Sequence, residues 1–164
     1  MKVVYLIRHA KSGWGEPGLA DFDRTLNGRG LHDAPQMGQR LKALNVRPNL
    51  IVSSPAKRAI TTARLIAEAL GYDRDEIVED DVLYSAFPKD TLKIIRTTPD
   101  SAESVMIFGH NPTMTDLVNR MSDFGVDNVP TCGAFCARFD VEEWEDVAEG
   151  RGEVVFFEFP KLVG

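Results

Sequence analysis

Short, unbroken apolar runs alternating with longer segments of helical period constrain this 164-residue chain more tightly than any other feature. KVVYLI at 2–7, NLIVSS at 49–54 and SVMIFGH at 104–110 carry apolar side chains at consecutive positions. Strands of that character are covered on both faces, and strands that alternate with helical segments build an α/β sheet. Leu31, Ala34, Gly38, Leu41 and Leu44 follow a helical period with Asn27 as cap, while Pro35 inside that segment points to a late start or a kink. Ser54 is expected to cap a helix with Pro55 at its first position, running through AKRAITTARLIAEAL and stopping at Gly71. Residues 76–84 read as a short strand, 88–98 as a short helix ending before Pro99, and 111–121 as the next helix. The alternation at 131–140 and 153–159 predicts two late strands, paired antiparallel.

Composition narrows the classes. Hydrophobic residues at 43% and charged residues at 27% are those of a globular chain, and one domain spanning 1–164 is expected. A core of this size needs neither disulfide nor metal for stability. The net charge of −6 argues against a nucleic-acid surface, which needs a basic patch or stripe, and makes any cationic pocket a local construction. After Lys2 come five apolar residues, short of the roughly 7–15 of a secretory segment or the roughly 20 of a membrane helix, so no membrane association and a cytoplasmic location are expected. Cys132 and Cys136, the only cysteines, lack zinc-ligand spacing and are expected to be reduced structural thiols.

Three strand ends carry residues suited to one kind of ligand. Arg8 and His9 follow the first strand. Ser53 and Ser54 follow the second, with Arg58 one turn into the next helix, and Gly109 and His110 follow the third, with Asn111 and Pro112 opening a helix. Ligands of open α/β sheets bind at the carboxyl ends of the strands, so two arginines and two of the three histidines would meet there. Arginine presents a planar fork of donors matched to phosphate oxygens and stays charged. A neutral imidazole is a competent nucleophile near pH 7. Phosphoryl transfer asks for little beyond such positioning and charge neutralisation. Between the first strand and the first helix, GWGEPGLADFDRTLNGRG (13–30) forms a polar loop long enough to be functional or mobile.

RHA after the first strand, SSPAKRAITTA in the second unit and GHNP after a later strand resemble the histidine phosphatase superfamily, also called phosphoglycerate-mutase-like. Within it, RHAKSGW followed by DFDRTLNGRG is similar to the small phosphohistidine phosphatases of the SixA type, over residues 1 to about 115 with a continuation toward the end. The resemblance implies a single-domain three-layer α/β sandwich, its mixed, mostly parallel sheet flanked by helices. It implies that His9 attacks phosphorus, that Arg8 and Arg58 bind the phosphoryl oxygens, and that His110 completes the cradle. No cofactor and no metal are implied. The partner would be a phosphorylated protein carrying phosphohistidine, or a small phosphorylated substrate.

This chain departs from the mutase-like pattern in two places. Those members carry a glutamate as proton donor, and here that region reads EDDVLYSAFPKD with Tyr84 about where the acid would stand. The asparagine that commonly follows the first motif is Gly15. The proton donor is therefore unassigned, with Asp21 and Asp23 as candidates that are also ordinary turn residues. An alkoxide leaving group needs a proton from an acid, whereas an imidazole leaving group departs with little help, which favours a phosphoramidate substrate.

Other readings stand beside these. Arg24 either reaches the phosphate or pairs with Asp21 or Asp23, Ser54 touches the ligand only secondarily to capping, and Trp14 either walls the pocket or packs under the loop. His32 is expected to be structural or exposed. A zinc site at His9 and His110 would lack the usual third ligand. The acidic stretch 142–153 is expected to be a solvated loop or short helix. Besides a phosphohistidine phosphatase, a phosphatase of small esters or phosphoramidates and a non-catalytic anion-binding module are compatible with the motifs.

Overall fold

The computed structural model describes residues 1–13 and 17–160. Trp14 and Gly15 lie outside the described residues. A six-stranded mixed sheet forms the middle layer, made of β1 (Lys2–Arg8), β2 (Leu50–Ser53), β3 (Val78–Glu79), β4 (Ser104–Gly109), β5 (Ala134–Phe139) and β6 (Glu153–Glu158), in the spatial order β3-β2-β4-β1-β5-β6. The first four neighbours in that order are parallel, with Leu6 opposite Ile107 and Val52 opposite both Ile107 and Val78. β5 and β6 close the other edge antiparallel, as their alternation predicts.

Side chains of a strand alternate between faces, and here each face meets helices. Val4, Leu6, Val105 and Ile107 pack on one side with Leu117, Val118 and Trp144, beneath α3 (Pro88–Arg96) and α4 (Thr113–Met121). Ile7, Met106 and Phe108 pack on the other with Met37, Leu41, Ile60 and Ile66, beneath α1 (Gly28–Ala43) and α2 (Lys57–Leu70). All six residues of β4 are buried. Burying each large aliphatic side chain contributes about 1.5–3 kcal/mol, so these faces hold the strand ends in place.

The structure differs from the sequence expectations at specific points. α1 is continuous through Pro35 and does not start late, since Asn27 caps it by accepting a hydrogen bond from the Gly30 amide. α2 begins at Lys57, not at Pro55, and its N-cap position is Ala56. The 76–84 segment keeps only the two residues of β3, because Asp80 accepts from the Val82 amide and turns Asp81–Tyr84 into a 3-10 turn. Within the acidic run, Trp144 is fully buried, its indole donating to the Ala102 carbonyl at 2.7 Å. Both cysteines are buried free thiols, and burial pushes each up to about 12, which keeps them protonated and unreactive.

Candidate active site

β1 delivers Arg8 and His9 to the carboxyl edge of the sheet, and the chain there is bracketed by its neighbours. The His9 amide donates to Gly109 O at 3.1 Å, tying it to the end of β4. The Cys132 amide donates to both the Arg8 and His9 carbonyls at 3.0 Å, from a residue held at φ 61°. The Ala10 amide donates to Thr62 Oγ1, which itself donates back to the Arg58 carbonyl. Thr62 is fully buried. On the next residue, the Lys11 carbonyl lies so close to Gly30 that a Cβ there would drive into it, so the glycine lets α1 approach the segment after His9.

His9 is 8% exposed, and its ring Nδ1 lies 2.7 Å from the Ala10 carbonyl. A carbonyl oxygen only accepts, so Nδ1 carries the proton and Nε2 keeps its lone pair. His110 sits beside it with ring centroids 5.1 Å apart, anchored by Nε2 to Ser54 Oγ at 2.8 Å. Ser54 thus holds His110 and accepts from the Ala56 amide instead of capping α2. Arg8 gives one Nη1 hydrogen to the Val129 carbonyl at 2.9 Å, and that carbonyl also receives Asn111 Nδ2 at 3.1 Å. Arg8 Nε and His110 Nδ1 are buried and without a hydrogen-bond partner among the described residues. Leaving such a group unsatisfied costs about 1–3 kcal/mol, and an anion's oxygens are suited to relieve it.

Arg58 is 7% exposed and points back to the loop before α1. It donates Nη1 to the Asp21 carbonyl at 2.7 Å and Nη2 to Asp21 Oδ2 at 3.1 Å. Asp21 opens the 3-10 turn Asp21–Asp23, which lays Phe22 edge-on against Tyr84, itself edge-on to His110. Tyr84 donates to Asp21 Oδ2 at 2.6 Å. Arg24 pairs with Asp21 Oδ1, not with Asp23, and donates to Gly13 O and Ser12 Oγ. Arg8, His9, Arg58, His110, Ser54, Arg24 and Asp21 therefore form one contiguous group, while Asp23 is exposed and His32 lies away on α1. Sequence reasoning passed over Thr62 and the hydrogen-bonding roles of Tyr84, Asn111 and the Val129 carbonyl. Thr62 had a signal, since it lies four residues after Arg58 on the same helical face.

The electrostatics follow from burial. His9 is pushed down to about 4, first by burial and then by Arg58, Arg8 and Arg24, while the Ala10 carbonyl acts in the other direction. Burial, then His9 and Arg58, push His110 down to about 3. The Asp21 carboxyl is lowered to about 2 by the Tyr84 hydroxyl first and then Arg24 and Arg58. Asp21 is therefore ionised at neutral pH, the form that accepts from Tyr84, Arg24 and Arg58. Tyr84 is raised by the same contact. Both imidazoles have folded values below the ordinary 6.5, so the unfolded chain binds more protons there. Their contribution to stability is full above about pH 6.5 and is lost as pH falls toward the folded values. Proton NMR is expected to show the His9 and His110 ring signals stationary from about pH 8 to about pH 5. A midpoint near 6.5 for either would mean a hydrated, titrating ring.

Comparison with known proteins is consistent with this geometry. The sequence pattern of the histidine phosphatase superfamily (branch 1) matches residues 4–84. SixA from Agrobacterium tumefaciens is 33% identical, over 98% of this chain and 99% of that one, and superimposes with a TM-score of 0.83. The chain belongs to the histidine phosphatase superfamily. The protein histidine phosphatase SixA in complex with tungstate, 19% identical over 94% of this chain and 95% of that one, shares the fold with a TM-score of 0.78. An uncharacterized protein of Mycobacterium tuberculosis is 29% identical over 165 aligned positions, covering 94% of this chain and all of that one. The six-stranded sheet is the phosphoglycerate-mutase-like fold of this superfamily, and the chain is a phosphatase of that kind. Among the described residues, no group of three or more His, Cys, Asp and Glu is placed to hold a metal ion, and no helix is long and apolar enough to cross a membrane.

Proposed function

We propose that the protein is a metal-independent phosphohistidine phosphatase acting through a covalent phospho-His9 intermediate on a phosphorylated partner protein in the cytoplasm. The observation that carries this reading is the Nδ1 contact of His9 to the Ala10 carbonyl, which leaves Nε2 unprotonated beside Arg8, Arg58 and His110. Nε2 attacks phosphorus, and the bond from phosphorus to the leaving atom breaks with its electron pair going to that atom. The guanidinium forks of Arg8 and Arg58 hold the equatorial oxygens, whose charge they neutralise in the transition state. His110, fixed by Ser54, completes the cradle as a hydrogen-bond donor. Water then attacks the phosphoenzyme, the phosphorus–Nε2 bond returns its pair to His9, which keeps its Nδ1 proton, and both of the water's protons leave with the phosphate.

The substrate class follows from what the site lacks. Asp21 is ionised and the Tyr84 hydroxyl gives its proton to Asp21 Oδ2, so neither aims a proton at an alkoxide leaving group. An imidazole whose distal nitrogen already carries a proton leaves as the neutral ring. Similarity to SixA of Agrobacterium tumefaciens supports the same substrate.

The test measures phosphate release from a phosphohistidine-bearing carrier protein and from a panel of phosphate monoesters. Phosphohistidine is expected to lead in kcat/KM by at least about tenfold, the factor that one hydrogen bond's worth of transition-state energy supplies. An ester that outruns it would place the function among small phosphate esters. Release from neither substrate would leave an anion-binding module.

A further inference from the structure

The mouth of the site carries an ionised carboxylate that the reaction above does not use. Asp21 is 54% exposed in its side chain, whereas the His9 residue is 8% exposed. Outward from His9 come the His110 ring, then Tyr84 edge-on to it, then Asp21 bonded to the Tyr84 hydroxyl. A group attacked by buried His9 must leave in the opposite direction, toward this mouth. Asp21 Oδ2 takes Tyr84 and Arg58, and Oδ1 takes Arg24. A carboxylate has about four acceptor positions, so Oδ1 retains one for a ligand. A negative group beside the phosphate-binding Arg58 is the wrong charge for an anion and the right one for a cationic leaving group.

Resting on the phosphohistidine reading, we propose that Asp21 is a specificity-determining residue for phosphorus–nitrogen substrates, accepting the distal ring N–H of the substrate imidazole. A phosphorylated imidazole becomes a good leaving group when that distal nitrogen is protonated. The carboxylate holds the substrate's own proton in place while the phosphorus–nitrogen bond breaks. The bonding pair goes to the departing nitrogen, and the ring leaves neutral with its distal proton still attached. The proton that a general acid supplies to an ester thus arrives with the substrate. A phosphate ester has no such N–H, so it gains from Asp21 only what both substrates share, the positioning of Arg58.

The experiment compares wild type and Asp21→Asn on phosphoimidazole and on p-nitrophenyl phosphate, whose nitrophenolate needs no proton, across a range of pH. The variant is expected to lower the ratio of kcat/KM for phosphoimidazole to that for p-nitrophenyl phosphate by at least about tenfold, as befits a charge-assisted hydrogen bond. The basic limb of its phosphoimidazole profile is expected to move to lower pH, because losing the carboxylate weakens retention of the substrate's proton. Asp21→Glu is expected to recover part of the ratio. The ratio is an internal control for folding, since a partly unfolded sample loses both activities together. An unchanged ratio would show that Asp21 only orients Arg58 and would overturn the inference while leaving the phosphohistidine reading intact. A wild-type enzyme that prefers the ester over phosphoimidazole would overturn that reading and this inference with it.

Discussion

His9→Ala is expected to lower phosphatase kcat by at least about 10³-fold, the scale seen when a nucleophile is removed and the binding groups stay. The variant is also expected to form no phosphoenzyme. In wild type, quenching with alkali during turnover of a labelled substrate should trap a phosphoryl group on protein that is stable to base and lost in acid, as befits phosphorus bound to an imidazole nitrogen. The physical basis is the fixed tautomer. With Nδ1 committed to the Ala10 carbonyl and the ring held neutral down to about pH 4, Nε2 presents its lone pair throughout the working range. His110, beside it, has Nε2 engaged by Ser54, and in the donor role proposed for it Nδ1 carries the proton and offers no lone pair. Turnover within a few fold of wild type in the alanine variant would refute the covalent route.

Arg58→Ala should cost about 10²–10³-fold in kcat/KM, the usual price of losing one donor to the charge that develops in the transition state. It is also expected to weaken competitive inhibition by vanadate. Arg58→Lys should recover little, because a single ammonium cannot reproduce a planar fork that grips Asp21 with two nitrogens and has further donors for a phosphoryl group. Thermal unfolding separates this from a structural effect. Arg58 is buried, so some loss of Tm is expected, but an intact cooperative transition alongside lost vanadate affinity would locate the defect in anion binding. Unaltered vanadate affinity in Arg58→Ala would exclude Arg58 from the phosphoryl site.

Much of the architecture was legible because it is written in local periods. Consecutive apolar residues at 105–108, between segments of helical period, read as a strand buried on both faces, and the structure buries all of β4. Asn27 and Gly71 mark their helix ends by side-chain and backbone preferences that act over a few residues. Errors fell where a local preference was outweighed. Ser54 is a good cap in isolation, yet its hydroxyl is drawn to His110, and the helix start moves to Lys57. Val78 and Glu79 could have begun a longer strand, but the Asp80 side chain captures the Val82 amide and bends the chain. Pro35 did not delay the start of α1, whose Ala34, Met37 and Leu41 pack into the core while Gly38 lies against Ile66 and Ala69 of α2.

The candidate site divides along the same line. Arg8, His9, Arg58 and His110 were placed by sequence, since each stands at a fixed offset from a strand or helix whose position its own neighbours determine. What those residues do to one another was decided only by the tertiary structure. The Val129 carbonyl reaches Arg8 across 121 positions and Tyr84 reaches Asp21 across 63, distances over which no period or motif carries information. Those long-range contacts hold Asp21 as an ionised carboxylate, because two arginines and a phenol stabilise its charge. They also bury two imidazoles deeply enough to keep them neutral. Sequence determined which groups meet at the end of the sheet, and the folded structure determined their protonation, because protonation depends on burial and on partners that folding alone brings together.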